Sequence, residues 1–216
     1  MAHLKRHKAP KRWPIPRKGT KYVVRPNFNP QRGVPLLIVF RDMLGVCQNR
    51  KEVKRAIHEK KILHNNKLAT DDKNAALLFD TISVVPSKKH YRVVLSKLGK
   101  YSLEEIKESE LNQKVAKIIG KKTLKGKKVQ LNLRGGGNFL SEVKCNTGDS
   151  VVMSFKDKKI TKCLPLKEKA KAVVFDGKHA GKHGVIEKIM LERKMAKLNV
   201  DKDDINVLIK QLMVVE

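Results

Sequence analysis

The N-terminal 33 residues hold ten cations, Lys5, Arg6, Lys8, Lys11, Arg12, Arg17, Lys18, Lys21, Arg25 and Arg32, and no acid. His3, His7, Trp13, Tyr22 and Phe28 lie between them. Cations at this density neutralise phosphates, and flat rings stack on unpaired bases, so the segment has the chemistry of a strand laid along a nucleic acid. Pro10, Pro14, Pro16, Pro26 and Pro30 exclude a regular helix and favour extended backbone. A basic arm over residues 1–33 that does not fold alone and orders on binding is expected. The competing reading is a disordered, solubilising tail.

A second group of candidate contacts is helical. Arg50, Lys51, Lys54, Arg55, His58 and Lys61 fall on one face of a segment whose other face carries Val53, Ala56 and Ile57. The remaining candidate RNA contacts are Arg41, Lys67, Lys88, Lys89, Arg134, Lys178, His179, Lys182 and His183, most of them in expected loops or turns. Catalytic chemistry has no comparable support. Gly135-Gly136-Gly137 lacks a following Gly-Lys-Ser/Thr or Rossmann spacing and is expected to turn a hairpin. Cys47, Cys145 and Cys163 are too far apart to resemble a zinc or disulfide framework, and Cys47 suits a buried position. Asp201, Asp203 and Asp204 are expected in a solvated turn. No metal, no cofactor and no catalytic residue are therefore expected.

The whole chain agrees with the local pattern. It has 216 residues, 49 Lys and Arg against 21 Asp and Glu, and a net charge of +28. Self-repulsion of that size implies a polyanionic partner. An anionic membrane would need an amphipathic basic helix or a lipid anchor, and neither is found. The apolar run Leu36 to Phe40 is too short to span a bilayer and no signal-type stretch follows the basic start, so a cytoplasmic location is expected. A hydrophobic fraction of 40% is enough for packed cores.

These side chains need elements to position them. Leu36, Val39, Phe40, Met43 and Leu44 predict a core helix with Pro35 at its first position and Gly45 beyond its end. Asn49 and Glu52 predict the cap of a second helix. Ile62-Leu63, Asn65-Asn66 and Lys67-Leu68 predict a hairpin, and Leu77 to Phe79 with Ile82 to Val85 complete a small α+β unit that Pro86 closes. Leu111, Val115, Ile118 and Ile119 suggest a short helix. Strands are expected at Val129–Leu133, Val151–Phe155, Ile160–Leu164, Val173–Phe175, Val185–Ile189, Val207–Ile209 and Leu212–Val215, while Met190 to Leu198 suits strand or helix. The last region suggests a small β-barrel. The class is α+β and multidomain, with segments 1–33, 34–86, 87–168 and 169–216.

In this order the segments resemble the archaeal and eukaryotic-type ribosomal protein four of the small subunit, the family often written S-four-e. The resemblance is carried by His3-Leu4-Lys5-Arg6 with Ala9-Pro10 and Trp13, by Pro35-Leu36-Leu37 with Arg41-Asp42-Met43-Leu44, and by Val129-Gln130-Leu131-Asn132-Leu133 with Asn138 and Thr147-Gly148-Asp149-Ser150. Phe175 to Ile186, with Gly177, Gly181 and Gly184, is similar to a KOW motif. The resemblance implies a two-helix RNA-binding module over 34–86, a β-rich central domain over 87–168 and a KOW-type SH3-like barrel over 169–216. It implies a structural, non-catalytic protein of the small ribosomal subunit acting in translation, one copy per subunit. Its partners would be small-subunit ribosomal RNA and neighbouring ribosomal proteins, with no membrane and no small-molecule substrate. An RNA-modifying enzyme sharing the two-helix module is the first alternative, but no large catalytic α/β domain follows residue 86. A factor binding transiently through the barrel is the second.

Overall fold

The structure is a computed structural model and describes residues 3–141, 143–200 and 203–215. The chain forms two compact units. One takes the residues up to Leu95 together with Lys100–Asn112, and the other takes Ser96–Gly99 with the residues from Gln113 onward.

In the first unit, β1 (Leu4–Lys5) pairs antiparallel with β2 (Tyr22–Val23). Strand β3 (Gly33–Pro35) runs into α1 (Leu36–Ile38), which continues as a π turn over Val39–Met43. Pro35 is thus the cap rather than the first helical residue. Leu36 to Phe40 are all buried, so this segment is wrapped by core on every side instead of showing one apolar stripe. Gly45 follows it at φ +65°, the left-handed position that commonly ends a helix. Helix α2 (Arg50–His58) is capped as expected: Asn49 Oδ1 accepts from Glu52 N at 3.1 Å, and Glu52 Oε2 accepts from Gln48 N at 2.7 Å. Its residues Val53 and Ile57 are buried.

Strands β4 (Ile62–His64) and β5 (Lys67–Leu68) form the expected hairpin, with Asn65 and Asn66 at φ +51° and +59°. Strand β6 (Ala75–Leu77) pairs with β3. Strands β7 (Thr81–Val84), β8 (Lys89–Leu95) and β9 (Tyr101–Glu105) complete a five-stranded sheet in the order β5-β4-β7-β8-β9. The expected division at Pro86 falls inside this sheet. Pro86 lies in a turn, Lys88 takes φ +52°, and β7 and β8 pair directly across it.

The second unit contains two five-stranded sheets. Strands β10 (Gln113–Thr123), β11 (Val129–Leu133), β12 (Asn138–Ser141), β13 (Ser150–Ser154) and β14 (Ile160–Leu164) form the order β12-β11-β10-β13-β14. Strands β15 (Lys171–Val174), β16 (His183–Met190), β17 (Met195–Val200), β18 (Asp203–Leu208) and β19 (Leu212–Val214) form the order β18-β17-β16-β15-β19. The helix expected around Leu111 to Ile119 is instead mainly the start of β10. Its helical spacing was a coincidence of a short window: pairing with β11 on one side and β13 on the other decides the conformation. The ambiguous stretch Met190 to Leu198 resolves into the end of β16, a turn and β17. Asp203 and Asp204 open β18 rather than a turn, Asp204 meeting Lys197 Nζ at 2.8 Å, and Asp201 lies outside the described residues. Among the described residues the chain is mostly β with two short helices, less helical than an α+β class implies.

One core spans the expected division at residue 168. Val152 and Leu164 from β13 and β14 pack with Val174, Ile186, Leu198 and Leu212 from the last sheet. Polar ties cross the same line. Ser150 Oγ accepts from Val214 N at 2.9 Å, and Lys117, 5% exposed, donates to the carbonyls of Ile209 and, at 2.6 Å, Leu212. Burial first, then repulsion from Arg134, lower the Lys117 ammonium to about 8, against support from Asp149. In the unfolded chain it titrates near the ordinary 10.5. Between those values the unfolded chain holds more protons than the folded one, so stability rises with pH across the window. Thermal melts from pH 8 to 10.5 are expected to show that rise in the native chain relative to Lys117→Met; parallel curves would contradict it.

Candidate nucleic-acid interface

Arg6 fixes the arm. Its Nε and Nη1 donate to the carbonyls of Thr20 and Pro16, each at 2.8 Å, and Nη2 donates to Thr20 Oγ1 at 2.7 Å. A guanidinium presents donors in a planar fork, so one side chain pins the whole 16–20 loop. Arg17 and Lys18 stand exposed on that loop. Arg6 is therefore a positioning residue for that loop.

Trp13 is a correction. The indole is 2% exposed and its Nε1 donates to Gly33 O at 2.9 Å, so it is core and has no face left for a base. Ala9, Pro10 and Pro26 are buried beside the same unit, and Arg12 O accepts from Tyr101 N at 2.9 Å. The basic arm is accordingly folded down rather than extended. Arg12 is half-buried, while His3, Lys5, His7, Lys8, Lys11, Lys21, Arg25 and Arg32 are exposed. A cleft of about 960 Å³ opens between the arm and the first helical segment, lined by His3, Tyr22, Arg25, Phe28, Arg41 and Lys73 among others. Tyr22 and Phe28 keep 49% and 37% of their surface exposed, so the large rings of the arm with accessible faces are these two and not the indole.

The six cations expected on and just after α2 divide. Arg50 is held by Asp72, Nε to Oδ2 at 2.6 Å and Nη2 to Oδ1 at 3.2 Å, and that carboxylate is fully buried. Lys61 and Arg55 clasp Glu59, and their hydrogen bonds, that of Lys61 first, hold its carboxyl below the usual carboxylate range. Lys51, Lys54 and His58 are exposed, and Arg41 pairs with its neighbour Asp42 at 2.8 Å. Lys67 stands exposed on the β4–β5 hairpin, as do Lys88 and Lys89 at the β7–β8 turn.

In the second unit Lys178 and His183 are exposed and His179 and Lys182 half-buried around the β15–β16 loop. Arg134 is used internally. Its guanidinium lies 4.0 Å from the Phe175 ring centroid and 3.5 Å from Asp176 Oδ2. Cys47 is buried, and burial followed by the Glu52 charge raises its thiol pKa. Cys163 sits beside Cys145, 4.0 Å from Asp149 Oδ2, and burial followed by its hydrogen bond with Cys145 pushes it up to about 12. Among the described residues no three His, Cys, Asp or Glu side chains are grouped to hold a metal, and no helix is long and apolar enough to cross a membrane. Sequence reasoning missed the buried acid Asp72, and it quoted Asp149 only within the motif Thr147-Gly148-Asp149-Ser150 without foreseeing its burial.

Two family models match the chain: Ribosomal family S4e over residues 87–160 and the RS4NT domain over residues 2–28. The small ribosomal subunit protein eS4 of Methanocella arvoryzae is 36% identical over 197 residues, covering 90% of this chain and 83% of its own. That of Nanoarchaeum equitans is 34% identical, covering 87% and 82%. The crystal structure of the 30S ribosomal protein S4e from Thermoplasma acidophilum superposes with a TM-score of 0.74 at 22% identity, covering 85% of this chain and 95% of that one, which shows the shared fold.

Trp13 is the one tryptophan of the chain, so the correction has a direct optical test. Its emission is expected to be blue-shifted, shielded from acrylamide and unchanged when RNA is added; quenching by RNA would restore the stacking role. Trp13→Ala is expected to cost about 3–5 kcal/mol in denaturant unfolding, as for other large core aromatics.

Proposed function

The chain belongs to the S4e family of small ribosomal subunit proteins, and from that premise we propose that it binds and stabilises folded ribosomal RNA as a structural component acting in translation. The observation that carries the reading is the separation of charge within each unit. Asp72 and Asp149 are buried and bonded internally, while the lysines of the arm, of α2 and of the turns stand in solvent. A surface sorted this way presents cations to phosphates and releases counterions on contact. Phosphate contacts position without reading sequence, so specificity comes from several segments engaging one folded surface.

In this reading the arm over residues 1–33 supplies the cleft with its exposed rings, and residues 34–86 grip backbone through Lys51, Lys54, His58 and Lys67. Residues 87–168 act as the central segment, and residues 169–216 serve as a KOW-type barrel. Support for the last comes from the strand-loop-strand of β15 and β16, with Gly177 and Gly181 at φ +84° and +90°. At Gly181 any Cβ would collide with the carbonyl of Ser96, so the loop needs a bare backbone there. No catalytic step, cofactor or small-molecule substrate enters this role, and the protein would work as one copy per small subunit in the cytoplasm.

Arg17, Lys18 and Lys21 are exposed, so they can be replaced while Trp13 is kept. Replacing all three by Ala is expected to lower the slope of log affinity against log salt for small-subunit ribosomal RNA by about 2–3, close to one per lost phosphate contact. An unchanged slope in a filter-binding titration would remove the arm from the interface.

A further inference from the structure

The register of β10, β11 and β12 builds two rungs of side chains on one face: Lys122, Gln130 and Leu140 in the first, Gly120, Asn132 and Asn138 in the second. Residues paired across antiparallel strands share a face, as do positions two apart along one strand. Leu131, between the rungs, is fully buried on the opposite face, while Lys122, Asn138 and Leu140 are exposed, so the rungs point to solvent. Gln130 Nε2 donates to Asn132 Oδ1 at 2.8 Å, which orients both amides and leaves Asn132 an NH2 to donate and Gln130 a carbonyl to accept elsewhere. Gly120 makes a notch in this face. Its backbone is outside the left-handed region, and an added Cβ would meet only Asn132, at 3.5 Å in ordinary contact, so neither strain nor crowding demands glycine there.

The surroundings specify the partner. From Leu111 to Ser141 the chain has eight Lys or Arg and no acid, a second acid-free run beside that of the arm. Lys125 and Lys128 are exposed in the β10–β11 connection next to the rungs. A purely apolar protein surface would leave the amides unpaired, and the acid-free strands call for a polyanion.

We propose that the outer face of β10–β12 lies in the minor groove of an A-form RNA duplex. That groove is wide and shallow enough for a flat sheet and displays 2′-hydroxyls and base edges that both donate and accept, which matches Gln130, Asn132 and Asn138. The Gly120 notch admits the ribose edge, and Lys122, Lys125 and Lys128 take the bordering phosphates. The proposal rests on the ribosomal RNA reading and adds the groove and the residues that meet it.

The test titrates the full-length protein with a fluorescent RNA duplex of about 20 base pairs and with the same sequence as DNA. The native chain is expected to favour RNA by about tenfold or more, through contacts to 2′-hydroxyls. Gly120→Leu and Asn132→Leu are each expected to bring that preference within about twofold while leaving the salt slope intact, since neither touches a phosphate cation. Asn138→Ala is a milder third variant, and circular dichroism melts identify any variant that fails to fold. A preference retained in well-folded variants, as a protein partner on this face would give, overturns the proposal, and so does its absence from the native chain. Loss of salt-dependent binding to both duplexes would instead overturn the ribosomal RNA reading on which the proposal stands.

Discussion

Three buried carboxylates hold the loops of a chain whose net charge is +28. Asp72 anchors the Arg50 guanidinium at the start of α2. Asp80 Oδ2 accepts from Leu77 N at 2.7 Å and lies 3.0 Å from His64 Nε2, tying the β6–β7 turn to β4. Asp149 accepts from Asn146 N and Leu166 N, each at 2.9 Å, and so fixes both approaches to the β13–β14 hairpin. A buried carboxylate is costly unless its lone pairs are filled by strong donors. Here each is filled by backbone N–H groups or by a fork of guanidinium donors.

The surplus of cations determines what stays outside. Because Lys and Arg outnumber Asp and Glu 49 to 21, lysines of the arm, of α2 and of the β10–β11 connection face water, and a polyanion would relieve their mutual repulsion. Internal cations follow a different rule. Arg6, Arg50 and Arg134 pin a loop, a helix start and a strand end, and Lys117 caps carbonyls at the last strand. Planar forks and a buried ammonium group build the scaffold, and in the proposed role the exposed lysines are the ones left to meet phosphates.

Features governed by neighbours in sequence were legible. The Asn49 cap with Glu52, the Asn65-Asn66 turn, the Gly135–Gly137 turn and the terminal strands all depend on residues a few positions apart. What was hidden depends on distant partners. Trp13 was taken for a stacking ring because its burial needs Gly33, twenty residues on. The Leu111 to Ile119 stretch suggested a helix until β13, more than thirty residues away, is seen paired to it. The same holds for the sheet that crosses Pro86 and the core that crosses residue 168. Among the candidate contacts, the list of cations was legible but not their division into scaffold and surface, because Asp72 and Phe175 lie far from the residues they engage. The amide face of β10–β12 was visible only as strand alternation until register placed its six residues side by side.

The most direct measurement is sedimentation of small ribosomal subunits carrying this protein through gradients of rising salt. A structural protein held to folded RNA by several segments at once is expected to stay at one copy per subunit after a high-salt wash, since screening weakens single phosphate contacts long before it releases a multiply attached protein. Release of the protein to the top of the gradient at moderate salt would contradict the account and identify a transient factor.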